Sequence, residues 1–142
     1  LSLSCCKIFS GTFEEIALAL KENNTLKALD LNHSCLMMQS VVALADMLKN
    51  NKGIETLNLS SCDIISEGGE AISEALYDNR TLTKLDLRDN YIRDDKIIKV
   101  LELVSKNSNG STRVSIEFKD DKVAPVSKMP IIIKPVAKRG WH

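Results

Sequence analysis

The strongest constraint on this chain is a period. The stretch LTKLDLRDNYI, residues 82–92, sets its aliphatic residues at Leu82, Leu85, Leu87 and Ile92. Neither a helix (period 3.6) nor a strand (period 2) produces that spacing alone. The pattern recurs 28 residues earlier as IETLNLSSCDI and 28 before that as LKALDLNHSCL, while the opening LSLSCCKI fits from the fourth position, with Leu1, Leu3, Cys6 and Ile8. Residues between the blocks keep phase too: Phe13, Val41, Gly69 and Ile97; Ile16, Leu44, Ile72 and Val100; Leu20, Leu48, Leu76 and Val104. A fixed period of 28 over most of a 142-residue chain means repeats. Such units cannot bury an apolar side alone, so stacked neighbours must share one core.

Each unit divides into a strand, a turn and a helix. In LTKLDLR, Leu85 and Leu87 alternate with Lys84, Asp86 and Arg88, so the leucines face inward and the polar residues outward. Parallel strands are expected near residues 28–31, 56–59 and 84–87. The chain then turns at Cys6, Ser34, Cys62 and Asn90. An asparagine amide there can both donate and accept, bridging neighbouring coils, and a buried thiol is a smaller substitute. SVVALADMLKNN and EGGEAISEALYDN then place Val41, Leu44, Ala45, Leu48 and Gly69, Ile72, Ser73, Leu76 at helical spacing. The small residues of the second set are expected to let its helix approach the strands closely. Ser40 and Ser66 read as helix starts. Asn50, Asn51, Asn79 and Asn107 read as helix ends, where asparagine tolerates a left-handed turn.

The array is expected to end near Ser111, with STRVSIEF as a last strand carrying Val114 and Ile116 in the leucine places one residue late. All nineteen acids precede Lys122, whereas five of the nineteen basic residues follow from it. The chain therefore carries −5 before that point and +5 after it. Two parts are expected: 1–121, an array of about four repeats with a terminal strand, and 122–142, a basic tail containing Pro125, Pro130 and Pro135. Within the tail, Ile131 to Ile133 are apolar enough to cover the final strand edge. An opening in mid-repeat without methionine suggests a piece of a longer array.

Little in the chain points to chemistry. No apolar run approaches the ~18 residues of a membrane span. The four cysteines form no C-x2-C pair, and Cys6 and Cys62 lie two repeats apart, too distant for a disulfide. They read as structural thiols of a reducing compartment, Cys62 buried and Cys35 accessible. His33 and His142 stand apart, and Gly68 and Gly69 open a helix rather than a phosphate loop. The five N-x-S/T sequons, including Asn32 and Asn58, follow from an asparagine-rich repeat. No catalytic residue, metal ligand or cofactor is expected. With one tryptophan and no basic helix, the tail is a poor nucleic-acid binder.

The LxxLxL core, the Asn/Cys turn and the 28-residue length resemble the leucine-rich repeats of the ribonuclease-inhibitor type, from Leu1 to about Glu117. Ser34 departs from that pattern. The resemblance implies a right-handed α/β horseshoe, a solenoid with a parallel sheet on the concave side and helices on the convex side. It also implies a noncatalytic, cytoplasmic module that binds other proteins through the concave face. Asp30, Asn32, Asn58, Ser60, Lys84, Asp86 and Arg88 would lie there, with Arg88 as the principal anchor. Met37 and Met38, on the loop ascending to a helix, form a rival contact. Related arrays leave two alternatives open. One is a GTPase-activating protein of the Ran-activator type, against which the basic end counts. The other is a cytoskeletal component, actin-capping or axonemal (ciliary).

Overall fold

Leucines at alternate positions become short strands wherever the repeat places them. The computed structural model describes residues 1–8, 11–106 and 113–118. Four helices alternate with four strands: α1 (Thr12–Lys21), β1 (Ala28–Asp30), α2 (Met38–Asn50), β2 (Thr56–Asn58), α3 (Ser66–Asp78), β3 (Lys84–Asp86), α4 (Asp95–Val104) and β4 (Ser115–Glu117). The strands form one parallel sheet in the order β1-β2-β3-β4. Leu29, Leu57 and Leu85 lie in register and are buried. Ser2 adds a single parallel bridge to Asp30, extending the ladder to the opening residues.

Helices α1 to α4 pack each against the next. The predicted faces of α2 and α3 are the buried ones: Val41, Leu44, Ala45 and Leu48, then Gly69, Ile72, Ser73 and Leu76. Together with the strand leucines they make one apolar cluster, also lined by Phe13, Ile54, Ile64 and Leu82. Each fully buried leucine contributes ~1.5–3 kcal/mol relative to exposure. A Cβ on Gly69 would meet Ile92 and Ile97 at 3.1 Å, so glycine admits the next unit's turn and helix rather than a strand.

Several local expectations need correction. Helix α3 does start at Ser66, whereas α2 starts at Met38 rather than Ser40, and neither serine is the cap: Met37 and Ile65 hold that place with no side-chain cap. Ser40 is buried inside α2, and Ser66 Oγ instead accepts the backbone N–H groups of Arg93 and Asp94 in the next unit. Asn51 and Asn79 are extended, at φ −68° and −74°, rather than left-handed. The left-handed residues that recur are Cys5, His33, Ser61 and Asp89, again 28 apart and each just before the turn position. Asp and His tolerate that conformation better than most residues, whereas Cys and Ser hold it under tertiary restraint.

The last strand also shifts. Leu85 pairs with Ile116, an offset of 31 rather than 28, so Ile116 takes the place of Leu85 and not of Leu87. Phe118 follows at the corresponding offset from Leu87 and packs against the core. Residues 119–142, including the expected tail and its isoleucines, lie outside the described residues, as does Asn107.

Candidate functional site

On the face of the sheet opposite the leucines, one position per unit serves its own turn. Asp30, Asn58 and Asp86 each accept, through Oδ1, the N–H of the residue two later: Asn32, Ser60 and Arg88, all at 3.0 Å. Asn58 Oδ1 also accepts the Ser60 hydroxyl at 2.8 Å. These side chains therefore stabilise the strand-to-turn exit, which alternation alone did not reveal. Asn32 Oδ1 is buried without a hydrogen-bond partner among the described residues.

The charged end of the row is an ion-pair network. Arg88 donates Nε and Nη2 to the Asp86 carboxylate, the shortest contact being 2.6 Å, and reaches Glu117 at 3.5 Å. Lys84 lies 3.9 Å from the same Glu117. Asp86 is 7% exposed. Burial alone would raise its carboxyl pKa, but the Arg88 hydrogen bonds outweigh that and hold it below the ordinary value. Arg88 is pushed upward by the same partner. The structure brings Lys84, Asp86 and Arg88 together but engages Arg88's fork internally. Glu117 joins them only through the shifted β4 register, for which the sequence held no signal.

The turn positions form a second ladder. Ser34 Oγ, Cys62 Sγ and Asn90 Nδ2 donate to the carbonyls of Leu3, Leu31 and Leu59, each 31 residues back, at 2.9, 3.0 and 2.8 Å. Asn90 Oδ1 additionally accepts from Cys62 and Ile64 N–H. Serine thus completes its rung although it departs from the Asn/Cys pattern. Cys6, at the first turn position, is exposed.

A third ladder escaped sequence reasoning. Asn51 Nδ2 donates to Leu20 and Asn23 carbonyls while Oδ1 accepts Gly53 and Ile54 N–H. Asn79 repeats this with Leu48, Asn51, Thr81 and Leu82. The signal was present, since Asn23, Asn51 and Asn79 share the 28-residue phase. Beyond it, the Arg113 guanidinium donates to the carbonyls of Leu76, Asn79 and Val104, tying the ends of α3 and α4 to β4.

The cysteines separate by environment. Cys62 is buried, and burial pushes its thiol up to about 12. Cys35 is exposed but raised by its hydrogen bond to Asp63. At neutral pH the thiolate fraction of Cys62 should be roughly a thousandfold below that of an ordinary thiol. With an aromatic disulfide reagent, Cys5 and Cys6 should label first, Cys35 more slowly and Cys62 only after unfolding. Asp63→Asn should speed Cys35, and rapid labelling of Cys62 in the folded protein would contradict the register. The sign of the pH effect follows: the neutral folded thiol contributes stability below pH 9, and that contribution is lost as pH rises toward 12.

Among the described residues no group of three metal-ligating side chains occurs, and no helix is long and apolar enough to cross a membrane. What this face offers is a polar, partly self-neutralised surface.

Comparison with known proteins agrees with this architecture. Residues 50–73 and 78–95 match the family model described as leucine-rich repeat. Curated protein sequences give no match. Among solved structures, a chain titled "Leiomodin-1 Actin-Binding Site 2 (ABS2)" is similar at 27% identity and a TM-score of 0.69, over 84% of this chain and 70% of that one. What the parallel strand–helix units and the matched segments both show is that this chain carries leucine-rich repeats.

Proposed function

We propose that the chain is a noncatalytic protein-interaction module of the ribonuclease-inhibitor type, a right-handed α/β horseshoe whose concave sheet face receives the partner. Residues 1–121 would form the array, and 122–142 a separate basic tail. The observation that carries this is the row of polar side chains on the open sheet face, with Lys84 and Arg88 exposed at its charged end. The leucine-rich repeats support a protein as partner. The likeness to an actin-binding segment supports actin, and with it a cytoplasmic, cytoskeletal setting, over the GTPase-activating alternative.

Because Arg88 already holds Asp86, an incoming carboxylate must share the guanidinium rather than take it over. Lys84, tied only at 3.9 Å, is the freer cation. Purified actin, as monomer and as filament, should bind the full chain, and Lys84→Ala combined with Arg88→Ala should weaken binding about tenfold. Actin that ignores the chain in both forms would remove actin as the partner. A partner that binds the double variant normally but is lost with Met37→Ala and Met38→Ala would move the contact to the start of α2, where both methionines are exposed.

A further inference from the structure

The edge where each strand gives way to its turn carries apolar side chains that the core does not use. Met37 and Ile65 hold one repeat phase, each just before its helix, and are 57% and 46% exposed. Their coils touch here, since the Leu36 N–H donates to the Cys62 carbonyl at 3.1 Å. In the next unit Tyr91, 49% exposed, forms a parallel bridge with Ile65, its N–H donating to the Ile64 carbonyl at 2.7 Å. Arg93 stands over the Tyr91 ring, 5.6 Å from its centre. Neighbouring coils lie ~5 Å apart, so Met37, Ile65 and Tyr91 make one strip across three units. An isolated exposed apolar residue is ordinary, whereas a contiguous run marks a contact surface.

Acids flank the strip. Asp63 and Glu67 stand on either side of Ile65 in the chain, and Asp89, Asp94 and Asp95 on either side of Tyr91. All five are exposed and, among the described residues, none enters an ion pair. Arg93 and Lys96 are the two cations set against these five acids, which leaves the rim at −3. The described chain ends beside this rim. The Leu87 N–H donates to the Glu117 carbonyl at 2.9 Å, so β4 leaves the sheet in step with β3, at the edge that carries Tyr91.

We infer that the strip is the seat of this chain's own residues 128–134, KMPIIIK, which fold back across the turns. Met129 and Ile131 to Ile133 supply apolar cover, and Lys128 and Lys134 bracket them with the charge the rim lacks. From residue 122 onward there are five cations and no acid, so the whole segment is drawn to an acidic edge. Pro130 and Pro135 favour an extended segment over a helix, and an extended chain can step from coil to coil. The nine residues 119–127 reach up to ~30 Å, whereas the strip lies within three coils of β4, ~15 Å. A tether of that length holds the segment at a millimolar effective concentration, so a weak contact suffices. A foreign protein that approaches the start of α2 must then displace the tail, while the polar sheet face stays open to partners.

Amide hydrogen exchange on the full chain tests this. Over residues 131–134 exchange should be at least about tenfold slower than in a synthetic peptide of residues 122–142, and should quicken as salt rises. Lys128→Glu with Lys134→Glu, both outside the array, should erase that protection and leave the helical circular dichroism unchanged. Adding Glu67→Lys with Asp95→Lys to the same chain should restore it, because the two charges are then exchanged across the contact. Ile65→Asp, at an exposed site, should erase it as well, and the tail variants carry the test if that change disturbs the fold. Residues 131–134 that exchange as fast as the free peptide overturn the inference. So does protection that survives both Ile65→Asp and the tail reversal, since the segment would then lie elsewhere, as along the free edge of β4. Protection that disappears on dilution overturns it too, because the occupant would be the tail of a second copy.

Discussion

Replacing Leu57 by aspartate should leave the protein without a cooperative thermal transition. Leu57 is fully buried on the central strand pair, in register with Leu29 on one side and Leu85 on the other. The substitution removes that packing and places a carboxylate where water does not reach. Burying an unpaired polar or charged group costs several kcal/mol, and lost aliphatic contacts add ~2–5 kcal/mol. Together these approach the whole stability of a domain this size, ~5–15 kcal/mol. Circular dichroism and calorimetry check the result, and an unchanged melting temperature would overturn the assignment of Leu57 to the shared core. Leu103→Asp is the matched control, being the same change on an exposed leucine.

Asn79→Ala should destabilise the protein by about 3–4 kcal/mol, far more than an ordinary polar substitution. Its side chain is 3% exposed and holds four backbone groups at once. Nδ2 donates to the carbonyls of Leu48 and Asn51 at 2.6 and 3.3 Å, and Oδ1 accepts the N–H groups of Thr81 and Leu82 at 3.0 and 2.8 Å. Truncation leaves the Leu48 carbonyl and the Leu82 N–H buried and unpaired, and frees the Thr81 N–H at a half-buried place. Asn58→Ala, at a half-buried place on the sheet face, should cost only ~1 kcal/mol because solvent can serve the freed Ser60 groups. Equal losses in urea titrations of the two variants would show that the third ladder lacks the importance its geometry assigns.

Strand positions were legible because burial on one face demands alternation, and Leu29, Leu57 and Leu85 obey it in register. The rungs at Ser34, Cys62 and Asn90 were legible because a turn between packed coils must be satisfied from inside. The role of Asn51 and Asn79 was misread: a left-handed helix end is a local habit of asparagine, whereas here tertiary contacts recruit the amide and leave the backbone extended. The register of β4 was not legible, because three extra residues between units leave no mark on hydrophobic alternation. Lys84, Asp86 and Arg88 share one side of the chain, as alternation requires. Their mutual bonding was hidden, since outward alternation does not say whether Arg88 meets a partner protein or Asp86 two residues away.

Helix α4 buries Leu101 alone, whereas α2 and α3 bury six residues each. Stability in a stacked array is set by contacts between neighbours, and among the described residues α4 has a helix on one flank only, α3, so it is held by one helix interface instead of two. It should therefore open on its own, at a free energy well below that of global unfolding, and exchange its amide hydrogens ahead of the central units. Anything seated on the other flank lends it the missing second interface. Occupancy would then register as a slowing of exchange along the whole of α4, with no displacement of the backbone: the last helix would report binding by its stillness.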